Sequence, residues 1–91
     1  LKPVSETESK YYLRIGVVDE PGSLASIARV LAEEKISVAG CEQKETGAGV
    51  VPVVFITHEA AQGRIDAAVK KCNALACVKG KIVVIRIEDL K

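Results

Sequence analysis

The chain has 91 residues, of which 48% are hydrophobic and 27% charged, and its net charge is +1. This length suits one compact domain, and the nearly balanced charge argues against broad binding to nucleic acid or anionic membranes. No apolar run approaches the ~20 residues that cross a bilayer, and no signal peptide is recognisable. Three cysteines without framework spacing indicate a reducing, cytoplasmic setting. Because the chain begins at Leu1, we expect a fragment or a processed product.

The first third of the chain predicts a strand followed by an amphipathic helix. Residues 1–10 are polar and aperiodic, as expected of a linker, so we expect the folded domain over residues 11–91. Residues 11–18 alternate apolar and polar side chains, which is typical of a strand. Pro21 suits the first turn of a helix that ends near Lys35. The apolar stripe of this helix is predicted to consist of Leu24, Ile27, Ala28 and Leu31.

The middle of the chain predicts two strands joined by a hairpin loop. Residues 36–45 form a less regular strand, in which Gly40 indicates a bulge or a close backbone contact. Residues 46–49 have the composition of a hairpin loop. Residues 50–57 are almost continuously apolar, so we expect a strand that is buried on both faces.

The last third predicts a helix and a final strand. The helix spans roughly residues 60–75, and its apolar stripe is predicted to consist of Ala61, Ile65, Ala68, Val69, Cys72 and Leu75. Residues 79–81 are expected to form a turn, and residues 82–87 a strand. The members of this strand that share one face are Val83, Ile85 and Ile87.

The element order β-α-β-β-α-β predicts an α+β fold, the ferredoxin-like sandwich. Right-handed crossovers place both helices on one face of an antiparallel sheet with strand order 4-1-3-2. The other face would carry apolar side chains of the third strand, either Val54 and Ile56 or Val53 and Phe55. An exposed apolar face and a free edge favour pairing with another chain, so we expect a homo-oligomer. The alternative is that these residues share a core with further domains.

The segment from Asp19 to Leu24, with the sequence DEPGSL, has the features of a ligand site. It opens the first helix, and a helix N-terminus offers unpaired N–H groups and partial positive charge to a carboxylate. The predicted donors are the N–H groups of Gly22, Ser23 and Leu24, while Asp19 could hold an ammonium group. Such a pair of receptors fits a free amino acid. The alternative is a plain turn, in which Asp19 or Ser23 caps the helix.

This pattern resembles the ACT family of small-molecule-sensing regulatory domains. The residues that carry the resemblance follow the first strand and open the first helix: Asp19, Pro21, Gly22, Leu24 and Ile27. More narrowly, the chain is similar to the C-terminal ACT domain of homoserine dehydrogenases. This resemblance covers residues 11–88. It is supported by four segments, namely 11–14, 43–45, 54–59 and 83–88.

The resemblance implies a regulatory domain that is not itself an enzyme. ACT domains commonly pair through their second strands, and an amino-acid effector lies between the first loop of one subunit and the second strand of its neighbour. Gln43 would then bond the effector, unless it is merely an exposed strand residue. Backbone contacts from the partner would come from Ser37, Val38 and Ala39. The implied effector is threonine, which would exert allosteric feedback in threonine biosynthesis. The feedback would act on NAD(P)-dependent catalytic domains, which would lie N-terminal and are absent from this chain.

Other functions of the same fold find less support in the residues. Aromatic residues make up only 3% of the chain, too few for RNA stacking platforms. The spacing of Cys72 and Cys77 is not that of a zinc pair, and His58 is the only histidine, so we expect no metal and no catalytic residue. Two alternatives stay open: an ACT sensor of another enzyme such as aspartate kinase, and a structural dimerisation module without a ligand.

Overall fold

The protein folds as a βαββαβ sandwich with one short additional strand. The computed structural model describes residues 8–43 and 49–87. The elements in chain order are β1 (Glu8–Val18), α1 (Ser23–Glu33), β2 (Val38–Gln43), β3 (Val50–Thr57), β4 (Ala60–Ala61), α2 (Gln62–Asn73) and β5 (Val78–Ile87). β1 therefore begins inside the segment predicted to be a linker, while most of the predicted hairpin loop lies outside the described residues. Neither described helix is long and apolar enough to cross a membrane.

Strand β1 runs through the middle of an antiparallel sheet. On one side it pairs with β3, from Tyr12 opposite Ile56 to Val18 opposite Val50. On its other side it pairs with β5, and β2 pairs with the outer side of β3. The four main strands thus follow the order β2-β3-β1-β5, which confirms the predicted order 4-1-3-2. The two-residue β4 only extends the pairing at the start of β1.

Both helices pack on the same face of the sheet and share one core with it, which confirms the ferredoxin-like fold. From β1 the core takes every second residue, namely Tyr11, Leu13, Ile15 and Val17. From α2 it takes Ile65, Ala68 and Cys72, which confirms three of the six members predicted for this stripe. Of the others, Val69 is partly buried, whereas Ala61 lies in β4 and Leu75 follows the end of the helix. Burial, reinforced by the nearby Cys77, raises the pKa of Cys72 to about 11. The Cys72 thiol is therefore neutral at physiological pH and packs as a small apolar side chain.

The predicted stripe of α1 was wrong at two of its four positions. Ile27 and Leu31 are buried, but Leu24 is 37% exposed and Ala28 is exposed, and Ser23 and Val30 are buried instead. The start of the helix lies near the segment before β5, where the Cys77 thiol donates to the Ser23 carbonyl over 3.8 Å. Periodicity within the helix could not have indicated this long-range contact.

Strand β3 is buried on one face only, so the prediction of burial on both faces was wrong. The buried residues are Val51, Val53, Phe55 and Thr57. Val54 and Ile56 are half-buried because no described helix covers their side of the sheet. This outcome decides between the two predicted pairs and gives the open face an apolar surface. Ile85 of β5 lies on the same face and is 52% exposed.

The predicted turn at residues 79–81 is instead a bulge within β5. Arg14 is paired with Val83, whereas Gly16 is paired with Lys79, so four steps along β5 span two steps along β1. Gly80 has a φ of 76°, which glycine adopts without steric cost. The bulge also brings the Lys79 carbonyl so close to Gly16 that a Cβ there would lie 2.7 Å from the oxygen.

We predict that Gly16→Ala destabilises the protein by about 1–3 kcal/mol, because the added methyl group meets a backbone carbonyl that cannot move without disturbing the ladder. Gly63→Ala is the matched control, since a Cβ at Gly63 has no neighbour within 4 Å. Alanine is also the better helix former there. Urea denaturation measures both effects, and equal stability of the two variants would contradict the prediction.

Candidate functional site

Helix α1 begins without a side-chain cap. Its N-cap residue, Gly22, has φ 87° and ψ −13°, and among the described residues no side chain caps the first-turn N–H groups. The alternative in which Asp19 or Ser23 caps the helix is therefore wrong. A Cβ on Gly22 would have no neighbour within 4 Å, so the backbone at this point is open to close approach by a ligand.

The loop between β1 and α1 is fixed by hydrogen bonds from both sides of the sheet. The Val18 N–H donates to the Cys77 carbonyl over 2.8 Å, and the Asp19 N–H donates to the Gly49 carbonyl over 2.9 Å. Within the loop, the Glu20 N–H donates to the Val18 carbonyl over 2.9 Å. Since these contacts come from segments that precede β3 and β5, the sheet itself holds the loop in one geometry.

Two of the three predicted amide donors are unused. The Ser23 N–H donates to the Glu20 carbonyl over 3.2 Å, and the Ser26 N–H donates to the Gly22 carbonyl over 3.0 Å. Among the described residues, no acceptor is present for the N–H groups of Gly22, Leu24 and Ala25. The first turn therefore keeps free donors and partial positive charge, whereas the predicted donor Ser23 is engaged within the loop.

A cavity of about 310 Å³ lies in front of these amides. We call it the loop cavity. It is lined by residues 17–24 together with Gln43, Val51 and Val53. The structure thus brings together five of the eight predicted effector-binding residues: Asp19, Gly22, Ser23, Leu24 and Gln43. The other three, Ser37, Val38 and Ala39, are exposed at the opposite end of β2 and do not line the loop cavity of their own chain.

Two kinds of lining residue were missed in the sequence analysis. Glu20 adds a second carboxylate beside Asp19; it is part of the DEPGSL segment, and its position in a turn does not indicate where the side chain points. The apolar wall comes from Val17, Val51 and Val53, which are buried. Their alternation predicts a shared face, but the register that pairs Val17 with Val51 was needed to place them together.

The loop cavity is suited chemically to a small zwitterion with an apolar or hydroxylated side chain. Amides at the start of α1 can accept an anionic group, and the carboxylates of Asp19 and Glu20 can accept a cationic one. No Lys or Arg among the described residues lines the cavity. The valine wall offers contact to a methyl group, and the Gln43 amide can donate or accept a hydrogen bond.

His58 follows the end of β3 and is exposed. Its backbone N–H donates to the Ser37 carbonyl over 2.8 Å, which connects the end of β3 to the segment before β2. Within residues 8–43 and 49–87, no three His, Cys, Asp or Glu side chains come close enough to share a metal ion.

Comparison with known proteins agrees with this geometry. Residues 11–77 match the ACT domain family. The chain is 41% identical over 90 residues to a homoserine dehydrogenase of Pseudomonas aeruginosa, covering 97% of the chain and 21% of that enzyme. A crystal structure of a homoserine dehydrogenase from Thiobacillus denitrificans is similar with a TM-score of 0.83 and 38% identity, covering 97% of the chain and 19% of the enzyme.

A separately crystallised domain has the same fold. The ACT domain from the GTP pyrophosphokinase of Chlorobium tepidum superposes with a TM-score of 0.71 at 13% identity, covering 87% of the chain and all of that domain. By contrast, the chain spans only about a fifth of the length of the homoserine dehydrogenases that it matches. The match over residues 11–77, the sheet order and the loop before α1 together show that the chain belongs to the ACT domain family.

Proposed function

We propose that this chain is the effector-binding domain of a homoserine dehydrogenase and that it takes threonine in the loop cavity. The observation that carries the proposal is that one cavity is lined both by Gly22 and Leu24, whose N–H groups are unused, and by the acidic residues Asp19 and Glu20. The similarity to homoserine dehydrogenases supports this parent enzyme over an aspartate kinase. Catalysis and NAD(P) binding belong to other domains of the enzyme, which is cytoplasmic.

The charges of the cavity suggest one orientation for the effector. Its carboxylate bonds the N–H groups of Gly22 and Leu24 and is stabilised by the helix dipole, which is worth up to ~2 kcal/mol in partly buried sites. Its ammonium group lies near Asp19. The methyl group of threonine then packs against the wall formed by Val17 and Val51, and its hydroxyl bonds the Gln43 amide.

Pairing of two copies through β2 would complete the site. β2 is an edge strand, and Val38 on it is 39% exposed. In an antiparallel β2–β2 pair centred near Gly40, the end of one strand at Gln43 lies beside the start of the other at Val38. The partner's segment from Ser37 to Ala39 would then cover the loop cavity, which explains why this segment does not line the cavity of its own chain.

Regulation follows from this arrangement by linkage. An effector held between two subunits stabilises one geometry of the pair, and this geometry is passed on to the catalytic domains. Coupling of this kind typically amounts to ~1–3 kcal/mol and is reciprocal. Effector binding must therefore strengthen dimerisation by the same factor by which dimerisation strengthens effector binding.

We predict saturable binding of threonine to the 91-residue chain in a calorimetric titration, with weaker binding of serine, homoserine, isoleucine, valine and lysine. The valine wall and Gln43 together favour a side chain that has both a methyl and a hydroxyl group. If the chain preferred lysine or another amino acid, the loop cavity would remain the proposed effector site, but the parent enzyme would be a different one. No heat with any of the six, in a chain that dimerises, would leave only a dimerisation module.

We predict that Asp19→Ala weakens threonine binding by about tenfold or more, since a charged hydrogen bond is lost. Gly22→Val should abolish binding because its side chain occupies the approach to the amides. Asp66→Ala is the control for the first change, as Asp66 is an exposed acid on α2. Gly80→Val is the control for the second, since its φ of 76° imposes comparable strain away from the loop cavity. Unchanged affinity in both site variants would remove the loop cavity as the effector site.

We predict that Val38→Glu weakens dimerisation and that threonine strengthens it in the unaltered chain. In a β2–β2 pair centred near Gly40, position 38 of one copy lies opposite Glu42 of the other, so the variant sets two negative charges against each other. Val84→Glu is a closely matched control, because Val84 is also 39% exposed but lies on the opposite edge strand, β5. Sedimentation equilibrium with and without threonine measures both effects. A dimer weakened by the Val84 variant alone would place the interface at β5.

A further inference from the structure

The open face of the sheet contains a second cavity, which the effector site does not use. We call it the bulge cavity, because the β5 bulge forms one side of it. Its volume is about 300 Å³, and its lining residues are Arg14, Gly16, Val50, Pro52, Lys79, Gly80, Lys81 and Val83. Gly16 and Pro52 alternate along β1 and β3 with Val17, Val51 and Val53 of the loop cavity. The two cavities therefore lie on opposite faces of the same strand segments.

The bulge cavity is built by specific backbone features. Gly80 adopts a positive φ within the bulge, and Lys79 is paired with Gly16 of β1. A bulge changes the direction of the side chains that it carries and commonly lies next to functional sites. Here it places Lys79 and Lys81 around the same space as Arg14 of the neighbouring strand.

The described residues give the bulge cavity a positive lining. Arg14, Lys79 and Lys81 line it, and no acidic residue within 8–43 and 49–87 does. Among the described residues, none of these three cations has an ion-pair partner. Glu42 lies on the same face, but Val54 of β3 separates it from Arg14. Three cations around one cavity create a local positive field, which favours an anion.

We propose that the bulge cavity binds a diphosphate, either free or as part of a nucleotide. A guanidinium group takes phosphate oxygens in a bidentate manner, and the two ammonium groups act as point charges. Three cations match the multiple charges of a diphosphate better than the single charge of a carboxylate. The apolar part of the lining, Val50, Pro52 and Val83, provides a surface for the sugar or base of a nucleotide. This site is independent of the amino-acid site proposed above.

Titration of the ¹⁵N-labelled chain followed by NMR tests the proposal directly. The 91-residue chain has its own core, and an ACT domain of the same fold crystallises alone. Inorganic pyrophosphate and ADP are added separately at low ionic strength, with adenosine as the uncharged probe. We expect saturable shifts at the amides of Gly16, Gly80 and Val83. Tighter binding of ADP would identify a nucleotide and equal binding a free diphosphate, and both results support the site. Binding of neither anion, or shifts confined to other residues, would overturn it.

Substitution of single charged residues distinguishes anion binding at a specific site from attraction by the general positive charge of the surface. Arg14→Gln and Lys81→Gln should each raise the dissociation constant for pyrophosphate by about tenfold. The control variants Arg29→Gln and Lys70→Gln remove exposed cations from α1 and α2, and their affinity should remain within about twofold of the unaltered chain. Equal losses in the site and control variants would show that the anion binds to the general positive field, which contradicts the proposal. All five proteins should keep the same melting temperature, because every altered side chain is exposed.

Discussion

The pairing of β1 on both of its sides is the constraint on which the rest of the structure depends. Because β3 and β5 both bond to it, β1 cannot shift its register without breaking two ladders. Its alternate residues are thereby assigned permanently to opposite faces, since a slip of one residue would turn every core side chain to the open face. The same two-sided support continues past the end of the strand, where the Cys77 and Gly49 carbonyls hold the N–H groups of Val18 and Asp19.

The hydrogen bonds at the end of β1 also fix the geometry of the loop before α1. A helix N-terminus alone is a weak anion receptor, and its usual dipole contribution is ~0.3–1 kcal/mol at exposed sites. Here the loop is fixed before any ligand arrives, and Gly22 begins the helix without a side chain that would occupy the first-turn donors. A prearranged receptor loses less conformational entropy on binding. The unused amides at the start of α1 are thus held in one geometry as a direct consequence of how the central strand is paired.

Local patterns were sufficient to predict most of the fold, and long-range contacts explain what they missed. Alternation along β1 gave its buried face, and the turn residues from Asp19 to Gly22 gave the start of α1. Periodicity could not indicate that Ser23 is buried near Cys77, because this contact joins segments far apart in the sequence. For the same reason residues 79–81 looked like a turn: the glycine and lysines are typical of one, while the bulge exists only through the pairing with Gly16. In the loop cavity, Asp19 and Gly22 were predictable from their motif, but the valine wall required the β1–β3 register.

The central claim is that an amino acid binds at the amides which begin α1. The most direct measurement is a crystal structure of the chain grown with threonine. The account predicts density for the amino acid in the loop cavity, with its carboxylate within hydrogen-bonding distance of the Gly22 and Leu24 nitrogens and its ammonium group facing Asp19. Threonine bound elsewhere, or bound in the cavity with its carboxylate directed away from these amides, would contradict the account.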